Sequence, residues 1–532
     1  MPGGVKSLVV VTLGSAQGAW RLQIDGGRKG ALLDVPEASG WQEQRILLSE
    51  GPARRVLRFH VEGPAGALLA WSPREVAAAA TASRPNVLVY LVDTLRADAL
   101  GTYGSRNVTP HFDALARDGA LFENAHAPSS WTLPSVVSLL TGRDPGRHGV
   151  VYNRDALAPG VATLAERFRE DGRATAAVTA SLWVSDRHAT HRGFQDLYEV
   201  SPERGPWGIR AGTSSADANV HVLPLLERHA AERFFLYVHV VDPHQPYTPP
   251  DDLIPAPLRA RWEPGDPRWQ LARAPSNGRG SAGRSSVEDL GPDERAPVLQ
   301  TARELYDTAV RHCDGQLGQI LAALERLGLR EQTLVVVTAD HGEEFGEHAR
   351  TGHAHSLYAE VTRVPLILSL PGRVEQGIRI KPPVGLVDVA ATLLELAGAP
   401  PDRRLPGASL TSWLGRGPAL GPGGSALRLM HRPQNRSRPI PGVPEMDAVV
   451  AGRWKLIRNR GAGERPHWEL FDLQVDPGET RNRSDDEPQV RGRLADRLEA
   501  MERGATGPTP VPAGPLDDET RERLRALGYT VD

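Results

Sequence analysis

The amino-acid sequence predicts an α/β fold: a doubly wound, mostly parallel sheet, with an N-terminal β-rich domain before it and a small C-terminal α+β subdomain after it. Three features predict it. Between residues 84 and 415, β-branched runs at 86–92, 174–180, 234–241, 333–339 and 364–370 alternate with helical stretches such as 161–170, 301–327 and 387–397. The runs are almost continuously apolar, as strands are when helices cover both faces of a sheet. Two of them lead into a carboxylate, Asp93 and Asp340, at the strand ends where an open parallel sheet places its ligands.

Residues 1–80 read differently. Short strands at 7–13, 20–24, 45–48 and 56–61, separated by turns with Gly and Pro, suggest a sandwich-like accessory domain that packs on its neighbour or binds carbohydrate. The α/β domain then spans 84–415. Two polar segments, 250–300 and 414–445, are rich in Pro, Gly and Arg and read as surface loops. The remainder, 416–532, is a C-terminal subdomain and tail, with strands at 448–458 and 467–473 and a helix at 488–503.

Composition bounds the function. At 532 residues the chain is long enough for more than one domain of about 100 to 200 residues. A formal charge of −3 gives no basis for nucleic acid or an acidic membrane surface as partner. The one cysteine, Cys313, excludes an intrachain disulfide and sits in a helical pattern as a small packing residue. The apolar run 8–13 is too short for a signal-peptide core and no run reaches transmembrane length, so neither segment is expected and the compartment stays open.

The chemistry centres on Thr132, in Ser129-Ser130-Trp131-Thr132-Leu133-Pro134-Ser135-Val136-Val137. The stretch reads as a short apolar helix, with Pro134 suited to its first position and Gly142 to a left-handed cap. A hydroxyl at that N-terminus faces free backbone N–H groups and the positive end of the helix dipole, where an anion is held and can be attacked. Taken alone, an ordinary helix cap explains it as well. Asp93, Asp340 and His341 change the balance, because two carboxylates and an imidazole suit a divalent cation, which would lower the pKa of a nearby Thr hydroxyl.

These residues resemble the sulfatase family of the alkaline phosphatase superfamily. The matching segments run in order: Asp93-Thr94-Leu95-Arg96-Ala97-Asp98, Thr109-Pro110-His111, the Thr132 segment through Gly142, Asp242-Pro243-His244-Gln245-Pro246-Tyr247, Asp340-His341-Gly342-Glu343, Gly352-His353-Ala354-His355, Arg363-Val364-Pro365, and Leu470-Phe471-Asp472 near the C-terminus. The resemblance covers about residues 84 to 485 and implies a metal-dependent ester hydrolase or transferase acting on a small-molecule, glycan-linked or lipid-linked ester. It implies one divalent ion (Mn, Ca, Mg or Zn) on Asp93, Asp340, His341 and Thr132, with Thr132, His244 and His353 catalytic.

The departures from that family narrow the chemistry. Sulfatases carry Cys or Ser, converted to formylglycine, in a Cys/Ser-x-Pro-x-Arg context; here Thr132 stands at the nucleophile position and Val136 at the Arg position. Threonine lacks the primary β-carbon that this conversion oxidises. Thr94 replaces a common metal-binding Asp, and His341 a common Asn. The set resembles the superfamily's phosphodiesterases and phosphoglycerol or phosphoethanolamine transferases. The expected substrate is therefore a phosphate mono- or diester. The alternatives are a sulfatase without formylglycine and a non-catalytic binder of anionic glycans or lipids. Asp242, His244 and His353 raise the possibility of a second ion, but the tight Asp242-Pro243-His244 spacing favours one. His239, inside a strand, is expected to be structural, and Arg96 and Asp98 to brace the first loop.

Overall fold

The computed structural model describes residues 84–200, 214–274, 287–415, 426–436, 443–461 and 467–521, apart from single positions inside these spans, together with strand backbones elsewhere. Its centre is an eight-stranded sheet in the order Asp196–Glu199, Ala174–Thr179, Phe234–Val240, Asn86–Val92, Thr333–Thr338, Leu366–Ser369, Ala120–Phe122, Ile378–Ile380. Only Leu366–Ser369 runs against its neighbours. The central strands are buried along their whole length, which is why their sequences are apolar at consecutive positions and do not alternate.

Helices cover both faces. Side chains of register partners in neighbouring parallel strands share a face. Tyr90, paired with Val238, reaches the carbonyl of Cys313 in the long helix Pro292–Arg326. Phe235, three residues before Val238 and so on the other face, packs against Phe168 of the helix Leu164–Glu170 at 4.8 Å between ring centres. Each such buried aromatic or aliphatic side chain stabilises the sandwich by roughly 1.5–3 kcal/mol.

The sequence-expected strands and helices of the α/β region are present within a few residues, except that the long helix begins at Pro292, nine residues earlier than the apolar pattern suggests. The segment 250–300 is not simply loop: it carries helices Ala256–Arg259 and Pro267–Arg273. Asp266 caps the second through Arg268 N–H, and Pro267 occupies its first turn, so the start signal was in the sequence beneath the polar composition. Residues 275–286 lie outside the described residues. Likewise 414–445 contributes the strand Leu427–His431, which completes a four-stranded antiparallel sheet with Glu445–Ala451, Trp454–Arg460 and His467–Asp472. The helix Pro488–Arg503 covers that sheet through Leu494 and Leu498.

After this helix the chain returns to the α/β region as a strap. Val511–Pro512 pairs with Asp155–Ala156, Gly514 N–H donates to Arg187 O, and Leu516 packs on a cluster containing Trp131, Leu133, Val137 and Trp183. Within 1–77 six strands form two three-stranded antiparallel sheets; Ala31–Val35 and Leu69–Ala77 join the four expected from sequence. How those two sheets pack, and hence the sandwich, lies outside the described residues. No described helix is long and apolar enough to cross a membrane.

Candidate active site

Asp93 continues the strand Asn86–Val92, its N–H still bonded to Val240 O at 2.8 Å. Asp340 follows the neighbouring strand, and because Leu91 pairs with Thr338 the two carboxylates emerge side by side. With His341 they form a buried group whose ligand atoms all lie within 4.8 Å of one another. Asp93 Oδ1 and Asp340 Oδ2 are buried with no hydrogen-bond partner. Orphaned buried carboxylate oxygens are costly unless a cation or proton meets them. His341 Nδ1 lies 2.9 Å from Gly342 O; donating there, it leaves the Nε2 lone pair toward Asp340 Oδ2 at 3.4 Å and Asp93 Oδ1 at 3.6 Å. Orphaned oxygens and an oriented imidazole fit a divalent cation.

Electrostatics agree with a cation-seeking site. Burial raises Asp340 to about 6, and the charge of Asp93 adds to it. Burial pushes Asp93 the same way, but His239, His244 and His341 outweigh it and hold Asp93 well below the usual carboxylate range.

The Asp93 turn is held under strain. Thr94, a β-branched residue, has φ of +59°. Its N–H donates to Asp340 Oδ1 at 3.3 Å and its hydroxyl to Asp93 O at 2.7 Å. Tyr306, buried on the long helix, locks the turn by donating its hydroxyl to Thr94 O at 2.9 Å and accepting from Arg96 N–H at 2.8 Å. Arg96 in turn forks onto Asp98 and reaches Glu347 Oε1 and Glu343 O, the bracing role expected of it.

Thr132 opens the helix Thr132–Thr141 at its first position, with Trp131 extended before it and Pro134 at the third position, not the first. Gly142 ends it in the left-handed conformation at φ 66°. Thr132 is not the capping residue. Its Oγ1 lies 3.2 Å from His341 Nε2, at the mouth of the carboxylate cluster.

The remaining candidates gather on the same side. The His353 ring lies 4.5 Å from that of His341 and 4.9 Å from that of His244. Burial lowers both: His353 to about 3, helped by His341, and His244 against the pull of Asp93. His353 Nδ1 meets Glu343 Oε1 at 2.9 Å, and burial lifts Glu343 to about 7. His239 also belongs here. It pairs with Leu91 across the sheet, its Nε2 is 3.5 Å from Asp93 Oδ2, and its Nδ1 meets Tyr237 OH at 3.1 Å. Glu343 stood in the Asp340-His341-Gly342-Glu343 segment without a site role, and His239 was expected to be structural. Only sheet order brings His239 beside Asp93.

Asp242 is turned to another task. Its oxygens accept from Ser214 Oγ, Ser215 N–H and Ser215 Oγ at 2.5–2.9 Å, holding the start of the helix Ser214–Arg228. Among the described residues the Asp93–Asp340–His341 cluster is the one grouping of this kind with ligand atoms in reach of a single ion.

A family model described as Sulfatase matches residues 85–399. The chain is similar to human iduronate 2-sulfatase, 30% identical over 378 residues that cover 60% of this chain and 66% of that protein. It is 25% identical over 382 residues to an arylsulfatase of Clostridium perfringens, covering 59% and 75%. Among solved structures, the phosphonate monoester hydrolase of Agrobacterium radiobacter superposes with a TM-score of 0.65 at 23% identity, over 81% of this chain and all of that one. The family model spans more than half of the chain, and the superposed structure shares its sheet. The chain belongs to the sulfatase family of hydrolases.

Proposed function

We propose that this hydrolase acts on phosphate mono- or diesters through Thr132 as nucleophile, passing the phosphoryl group to water or to an acceptor alcohol. The observation that carries the reading is the Thr132 hydroxyl, 3.2 Å from His341 Nε2, at a position where threonine cannot become formylglycine. The phosphonate monoester hydrolase among its structural neighbours shows that this fold also serves phosphorus esters. Asp93, Asp340, His341 and Thr132 would hold one divalent ion, which supplies a Lewis acid that lowers the hydroxyl pKa and offsets the anionic oxygens. The N–H groups at the start of the Thr132–Thr141 helix receive the non-bridging oxygens. His244 and His353 stand where they can move protons at the leaving and attacking oxygens.

A second reading, cleavage of sulfate esters without formylglycine, is favoured by the names of the relatives, iduronate 2-sulfatase and arylsulfatase. One experiment separates the two. Cation-reconstituted protein is given an aryl phosphodiester and an aryl sulfate, with EDTA and Thr132→Ala as controls. Preferential phosphodiester cleavage, lost in both controls, supports the proposal. Preferential sulfate cleavage, or a Thr132→Ala enzyme of near wild-type rate, overturns it.

A further inference from the structure

We propose that His431 and His355 form a hydroxyl-recognising pocket beside Thr132, so that the alcohol portion of the ester carries a free hydroxyl, as a glyceryl or sugar unit does. The inference deepens the proposed ester reaction and rests on Thr132 marking the place where the ester is held. His431 ends the strand Leu427–His431 of the C-terminal subdomain and is fully buried. Its Nδ1 lies 3.0 Å from Ser130 Oγ, while its Nε2 is buried with no hydrogen-bond partner. Met430 N–H donates to Pro128 O at 2.8 Å, which pins the strand along the segment leading into Thr132. Ser130 stands two residues before Thr132, a stretch of chain that spans at most ~7 Å.

His355 reaches the same place from the other side. Ala354 N–H donates to Ser130 O at 2.9 Å, and Ala354 holds a left-handed φ of +63° between His353 and His355. His355 donates a ring N–H to the Thr351 carbonyl, and its Nδ1 is buried with no partner. Burial, then nearby His355, pull His431 down to about 3; burial, then His353, pull His355 to about 3 as well. Both rings are therefore neutral and act through hydrogen bonds.

The protons decide what the two rings bind. A neutral imidazole has one N–H donor and one lone pair. With His355 Nε2–H on Thr351, its Nδ1 is an acceptor. At His431, a Ser130 hydroxyl donating to Nδ1 leaves one orphan, the Nε2–H donor; the reverse tautomer strands both the Nε2 lone pair and the hydroxyl proton. The pocket thus offers one uncharged donor and one uncharged acceptor. A hydroxyl accepts from the first and donates to the second. A carboxylate or phosphate oxygen only accepts and leaves His355 Nδ1 unmet, and an alkyl chain leaves both unmet.

The test is titration calorimetry on the full chain carrying Thr132→Ala, which holds esters without turning them over. It is loaded with whichever of Mn²⁺, Mg²⁺, Ca²⁺ and Zn²⁺ most raises its Tm. Glycerol 3-phosphate, glucose 6-phosphate and propyl phosphate are compared, each beside the sulfate of the same alcohol. The glyceryl or the glucose ester should bind on the order of 10²-fold tighter than the propyl ester, which leaves two buried groups unmet. Which of the two binds tighter tells a polyol from a sugar. His431→Phe and His355→Phe should each cut the ratio to within a few-fold, and His355→Asn, whose Oδ1 accepts in place of Nδ1, should keep part of it. Ratios are read within one protein, so a general loss of affinity cancels. Equal affinities for hydroxylated and propyl esters mean that the two nitrogens hold only water, and overturn the proposal; so does failure of both hydroxylated esters to bind. Where His431→Phe does not fold, the two His355 variants decide alone. Sulfates binding tighter than phosphates, with the hydroxyl preference kept, count against the phosphate reading and leave the pocket standing.

Discussion

Replacing Tyr306 by phenylalanine removes one oxygen and tests how the Asp93 turn is held. That hydroxyl is buried between Arg96 N–H at 2.8 Å and Thr94 O at 2.9 Å. Its loss strands a buried donor and a buried acceptor, each costing about 1–3 kcal/mol. The left-handed Thr94, whose strain is worth ~1–3 kcal/mol, is then released and returns part of that cost. The net loss is about 2 kcal/mol, which for a domain of this size lowers Tm by roughly 3–4 °C. Thr94 also aims its N–H at Asp340 Oδ1, so a relaxed turn misplaces both carboxylates. Cation affinity should fall about tenfold, as it does when a residue supporting metal ligands is removed. Scanning calorimetry and isothermal titration with Mn²⁺, Mg²⁺, Ca²⁺ and Zn²⁺ measure the two effects. A Tyr306→Phe protein with unchanged Tm and unchanged affinities would refute the view that Tyr306 locks the turn.

Three further outcomes are expected. A cation at a hundred times its Kd stabilises the chain by about 2.7 kcal/mol, so EDTA should lower Tm in wild type and leave Asp340→Ala unmoved; equal responses would contradict the assigned site. His348 provides a pH test away from that site: burial opposes its charge, but Glu360 outweighs burial and raises it from 6.5 to about 9. A raised basic group stabilises the fold fully below its unfolded pKa and loses that contribution as pH climbs through the folded value, so Tm should decline between about pH 6.5 and 9 and His348→Gln should flatten that slope. Gly507→Ala would place a Cβ 2.1 Å from Arg147 O, lifting the strap; faster proteolysis after residue 505 with a several-fold lower kcat is expected, and unaltered proteolysis would show that the strap absorbs the methyl.

How much of this was legible depends on whether the signal is local. The strand ends at Asp93 and Asp340 were readable because β-branched runs stop on a carboxylate, and both faces of the sheet were readable from unbroken apolar runs. Thr132 was readable as a helix start, though the helix opens on Thr132 itself and not at Pro134. His239 was not, since the same residue in a different sheet order would be a core histidine; it becomes a neighbour of Asp93 only because Phe234–Val240 pairs with Asn86–Val92. Asp242 sits in a motif that admits a metal ligand or a helix anchor, and only the placement of Ser214 and Ser215 decides for the anchor. The helices within 250–300 were hidden by composition, because Pro and Arg read as loop until Asp266 and Pro267 are taken as a cap and a first turn.

The strap gives the molecule a timetable. Leu516 closes the apolar pocket around Trp131, the residue that leads into Thr132, yet roughly 400 residues separate them along the chain. At ~5–20 residues per second, synthesis of that interval takes on the order of 20–80 s. In its last part, once Ile380 has completed the sheet, the strands, the carboxylates and the nucleophile helix are all made, while the packing that seats the helix is not. A nascent chain therefore carries every reactive group before it carries the part that completes their setting, and competence arrives with the strap.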